Sequence, residues 1–103
     1  MVTIDDIRTE IMRHPLIEES DKSTSFRAVT FKTKGKGIIG IEKDMNHVTF
    51  ALNEHDAQAA LEDADLAAEA ISKKGTLIGV RVDMHRLTAT SLNTLVTRSA
   101  ASV

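Results

Sequence analysis

The sequence predicts an α+β fold, an antiparallel sheet with helices packed on one face, in the order α-β-β-β-α-β-α. Three observations lead there. Apolar residues recur at helical spacing near both ends, at Ile4, Ile7 and Ile11 and again at Leu92, Leu95 and Val96, whose packing face also takes in Ser99. Between them Val29, Phe31 and Thr33, and then Val48, Phe50 and Leu52, alternate with polar neighbours, which is the period of a half-buried strand. The strand-like runs follow one another through short turns, which favours antiparallel pairing over helical crossovers.

Each element has its own local reason. Thr3 is a helix cap with Asp6 three residues on, where an acid suits the positive end of a helix, and Pro15 stops that helix. A meander of three strands follows, near Ser25 to Thr33, Ile38 to Glu42 and His47 to Leu52. Asn53 with Asp56 caps a second helix whose stripe is Ala60, Leu61, Ala64, Ala68 and Ile71, and Gly75 ends it. Lys73 and Lys74 then fall in its last turn, where cations offset the negative helix end. Ile78, Val80 and Val82 alternate in a fourth strand, and Thr88 or Thr90 caps the closing helix.

At 103 residues the chain is expected to be one domain, residues 1–103, with a modest core. The absence of cysteine excludes disulfides, thiolate metal sites and a cysteine nucleophile. No segment has the length and apolar character of a membrane span, and the first residues lack a basic stretch followed by an apolar run, so a soluble, cytoplasmic protein is expected. Three Phe, no Trp and no Tyr leave few rings on which exposed bases could stack.

The net charge of −2 hides a segregated distribution. From Lys22 to Lys43 there are six basic residues and one acid; from Glu54 to Glu69 there are six acids and no Lys or Arg; from Lys73 to Arg98 there are five basic residues and one acid. A basic side and an acidic side follow.

Gly35, Gly37 and Gly40 spell G-x-G-x-x-G, the spacing that cradles a dinucleotide when it follows a strand and opens a helix. Here the β-branched run Ile38, Ile39 and Ile41 follows instead, so Lys34 to Gly37 reads as a hairpin turn and no nucleotide cofactor is expected. The four histidines belong to four segments with no H-x-x-x-H or H-x-H pair, so no metal site is expected. Asp83, His85 and Arg86 form the one acid–histidine cluster, with no nucleophile or substrate groove beside it. The chain is read as a non-enzyme.

Four segments together resemble one family. They are "HPLIEES" from His14, the "GKGIIGI" hairpin, "ISKKGTLIGVRVD" from Ile71 to Asp83 and "LNTLVTRSAASV" at the end. In that order they are similar to segments of MmcQ/YjbR-like proteins. The resemblance implies a fold like that of CyaY and frataxin, and a double-wing mode of binding double-stranded DNA. Two positions depart from the family: Thr76 and Leu77 stand where it has a tryptophan, and Ala100 where it has a tyrosine.

The residues expected to meet DNA are Lys32, Lys34 and Lys36, which alternate along the chain and are expected to share one face of a hairpin, extended by Lys73, Lys74 and Arg81. Lysines on an exposed strand also discourage edge-to-edge aggregation, which needs no ligand. The alternative function is a small protein-interaction module, self-association included, that uses the same charge separation to orient a partner.

Overall fold

The computed structural model describes residues 2–20 and 27–102. Lys22 and the expected strand start at Ser25 lie outside the described residues. Three helices, α1 (Ile4–Ile11), α2 (Glu54–Glu62) and α3 (Ala89–Ala101), accompany six strands, β1 (Ile17–Ser20), β2 (Arg27–Thr33), β3 (Lys36–Glu42), β4 (His47–Ala51), β5 (Glu69–Lys73) and β6 (Thr76–Asp83). The strands form one antiparallel sheet in the order β1-β2-β3-β4-β6-β5. The α+β class with helices on the sheet is therefore as the sequence predicts, with two more strands. None of the described helices is long and apolar enough to cross a membrane.

Strand register decides what is buried. Phe31, Ile39, Phe50 and Val80 are successive cross-strand partners, and Ile41, Val48 and Val82 form the next row. All seven are at most 1 % exposed. Residues that pair across a ladder share a face, so these rows make one apolar surface. α3 packs on β3 and β4, α2 packs on β6, and α1 leans on α3. Ile38 and Ile39 are both buried although adjacent. The reason is a bulge: Phe31 pairs with Ile39 and Lys32 with Gly37, leaving Ile38 as an extra residue. Gly79, between Ala51 and Ile71 in the sheet, tolerates no side chain, because a Cβ there would run into the carbonyl oxygen of Phe50.

The caps follow the sequence. The Asp6 amide donates to Thr3 Oγ1 and the Thr3 amide to the Asp6 carboxylate, a reciprocal box. The Asp56 amide donates to Asn53 Oδ1 at 2.8 Å, and Thr88 is the α3 cap, boxed with Ser91.

Two strands differ from expectation. Ile17–Ser20, expected as part of a turn, adds to the β2 edge as β1. The second helix stops at Glu62 instead of continuing to Ile71. Asp63 ends it: its backbone is extended and its side chain accepts from the Asp65 amide at 3.0 Å, a local hydrogen bond that competes with the helix ladder. Leu66, 4 % exposed, then pins the link to the core, and Glu69–Lys73 pairs with β6. Ala64 is exposed, and Ala68 and Ile71 are only partly buried outside any helix, so the expected stripe breaks after Leu61. Lys73 and Lys74 accordingly occupy a β-hairpin, not the last turn of a helix.

Ser99 faces the core from α3, fully buried, and its hydroxyl has no hydrogen-bond partner. A buried unpaired hydroxyl is destabilising. Ser99→Ala is therefore expected to stabilise the fold by about 1 kcal/mol, seen as a higher urea midpoint at unchanged slope.

Candidate nucleic-acid interface

The two expected basic segments are built alike. In each, a lysine and a glycine form a two-residue turn with positive φ at both positions: Lys34 (52°) with Gly35 (77°), and Lys74 (52°) with Gly75 (80°). That is the type I′ geometry whose twist matches flanking antiparallel strands. Thr33 pairs with Lys36 across the first turn, and Lys73 with Thr76 across the second. The glycines take the left-handed region at no steric cost. Lysine is an uncommon choice at such an angle.

Sheet topology places both tips at one end. β2 and β5 run parallel to β4, each ending in its turn, while β3 and β6 run back from those turns. The tips thus flank β4 and reach beyond its last residue, Ala51, whose partner Gly79 lies three residues inside Thr76. Three strand spacings separate the two hairpin midlines, about 14 Å.

The lysines do not share one face as the sequence suggested. Lys32 pairs with Gly37 and Glu18, whereas Lys36 pairs with Thr33, a neighbour of Lys32 on the opposite face. Lys34 occupies the turn between them. The two-residue turn reverses the chain and breaks the alternation counted along it, so the lysines surround the tip. Lys34, Lys36, Lys73 and Lys74 are exposed and Lys32 is half-buried. None of the five takes part in an ion pair among the described residues.

Arg81 differs. It lies toward the other end of β6, with its Nε 2.5 Å from Glu42 Oε2, its second guanidinium nitrogen 3.0 Å from Glu42 Oε1 and a third 3.0 Å from Glu69 Oε2. The hydrogen bonds it donates to Glu42 and then to Glu69 push its pKa further up. Arg81 is thus committed to two carboxylates and is not brought together with the lysines.

The same end holds a histidine between acids. His47 Nδ1 is 2.7 Å from Asp44 Oδ2, and Nε2 is 4.0 Å from Asp83 Oδ2. Sequence reading grouped Asp83 with His85, but Asp83 Oδ1 accepts the His85 amide to start the 3-10 turn Met84–Arg86, and the His85 ring contributes nothing to the group. Glu42, Asp44 and His47 bring one donor atom each within 4.8 Å of one another. The i, i+2, i+5 spacing across a tight β3–β4 turn is the signal that could have found them. All three have protein partners: Glu42 holds Arg81, and Asp44 Oδ1 accepts the Asn46 and His47 amides while Oδ2 meets the ring.

Those bonds hold the Asp44 carboxyl below its ordinary range, the Asn46 amide first and the His47 ring second. A lowered folded-state pKa means that its stabilisation is fully present above the unfolded value and is lost as pH falls through the folded one. Carbon-detected NMR titration should place its midpoint below the model-peptide value of about 3.9.

No family model, curated protein or solved structure matches this chain.

Proposed function

We propose that the protein binds double-stranded DNA through the phosphate backbone, as a cytoplasmic, non-enzymatic module of the MmcQ/YjbR-like kind, with Lys32, Lys34 and Lys36 on one wing and Lys73 and Lys74 on the other. The observation that carries this reading is the pair of lysine-glycine turns at one end of the sheet, with no carboxylate among the described residues paired to their lysines. Cations with no carboxylate partner among the described residues attract a polyanion more strongly than cations already neutralised. The separation of about 14 Å is also comparable with a major groove roughly 12 Å wide, so two wings can meet phosphates on both of its sides. Arg81 leaves the expected contact set because two carboxylates hold it. Backbone contacts position a protein without reading sequence, so weak sequence preference belongs to the proposal.

Titration of a labelled duplex at rising salt tests it. Affinity should fall linearly on a log–log plot, with a slope of about −0.9 for every phosphate engaged. Absence of binding at low salt removes the proposal and favours the interaction module. That second reading has its own observation: Met12 and Leu16, 83 % and 73 % exposed, lie on either side of Pro15.

A further inference from the structure

A groove of about 770 Å³ runs between α1 and α3 on the helical layer, away from the lysine turns. Val2, Leu87 and Leu92 supply apolar wall, and Glu10, Arg13 and Asn93 supply polar groups. Glu10 is 7 % exposed, the only charged side chain among the described residues that is buried. Burying a carboxylate is costly unless strong hydrogen bonds replace water.

Those bonds are weak here. Asn93 Nδ2 donates to Glu10 Oε2 at 3.3 Å, and the nearest cations stand further off, Arg13 at 3.7 Å from Oε1 and His14 Nε2 at 3.8 Å from Oε2. A charge-assisted bond between nitrogen and carboxylate is normally about 2.7–2.9 Å. The Arg13 side chain is 69 % exposed, so its charge lies mostly in water. Asp6, one turn before Glu10, lines the same groove and is held ionised by its bonds to Thr3. Among the described residues the wall therefore carries two carboxylates and one loosely placed guanidinium, with the buried carboxylate short of good donors.

We propose that this groove binds a small organic cation, an ammonium or guanidinium on a short apolar stem, with Glu10 as its counter-ion. The cationic head completes the hydrogen bonding of Glu10, and the stem lies against Val2, Leu87 and Leu92. The size is that of a small-molecule site, an apolar wall with a few placed polar groups. This site is independent of DNA binding and stands or falls separately from it.

The test is an amide NMR titration of the whole protein with n-butylammonium, n-butanol and n-butyrate at constant ionic strength. Saturable shifts at Thr9, Glu10, Asn93 and Thr94 are expected with the ammonium alone. Glu10→Gln keeps an oxygen for Asn93 but loses the charge, and should weaken the ammonium by about tenfold or more. Arg13→Gln removes a competing cation from an exposed position and should strengthen it, a change that a purely structural Glu10 would not produce. Nα-acetyl-lysine amide separates two sources of the cation: tighter binding than butylammonium assigns the head to a partner protein's lysine, and equal or weaker binding to a free amine. No saturable shift with the wild type, or equal affinity in wild type and Glu10→Gln, overturns the proposal. Should Glu10→Gln fail to fold, the Arg13→Gln comparison decides, and unchanged or weaker affinity there overturns it.

Discussion

Phe50→Ala is expected to destabilise the fold by about 3–5 kcal/mol, the range for emptying a buried aromatic site. Phe50 is fully buried at the centre of the sheet, between Ile39 on β3 and Val80 on β6. A hole there removes contacts to two strands and to the helical layer, and the backbone ladders hold the walls apart. Small domains are commonly stable by only about 5–15 kcal/mol, so this one substitution can exhaust much of the margin. Thr49→Ala, next in sequence but partnered with Gly40 and Arg81 on the other face, should cost far less. Urea denaturation of the two variants measures the contrast, and equal losses would contradict the register.

Reversing charge on one wing, Lys34→Glu with Lys36→Glu, should weaken duplex binding for every sequence tested. At low ionic strength about 1 kcal/mol per exposed contact is reasonable, or roughly thirtyfold for the pair. The log–log salt slope should become shallower by about one unit per lost phosphate contact, while sequence preference stays put. Lys73→Glu with Lys74→Glu should do the same from the second wing. Glu62→Lys with Asp63→Lys, at the far end of α2, should leave affinity unchanged or raise it. Wild-type binding that survives reversal of both wings would show that DNA docks on another surface.

The helix starts were legible because N-caps are local. Thr3 with Asp6, Asn53 with Asp56, and Thr88 each announce a helix within four residues, and each does so in the structure. The central strands were legible because alternation at Val48, Phe50 and Leu52 matches a sheet with one covered face. β5 was hidden because Ala and Leu before Glu69 favour a helix, and pairing with β6 overrides that preference. β1 was hidden because four residues beside a proline carry too little pattern to separate an edge strand from a turn. At the candidate site, the lysines were visible as a run, but not their faces, since one turn residue more or fewer reverses every side chain after it. The commitment of Arg81 was also hidden: Glu42 lies 39 residues before it, and only the strand order β3-β4-β6 brings them together.

That strand order divides the sheet into two sequentially built units, the β1–β4 meander and the β5–β6 hairpin, zipped along a single seam between β4 and β6. Arg81 reaches over the seam from β6 to Glu42 on β3 and holds Glu69 on β5, so the strap lies at the end away from the turns. The sheet resembles a tuning fork, tied at its base and open at its prongs. Amide hydrogen exchange should follow that gradient, slowest along the Val48–Val82 and Phe50–Val80 pairs and fastest at Lys34, Gly35, Lys74 and Gly75.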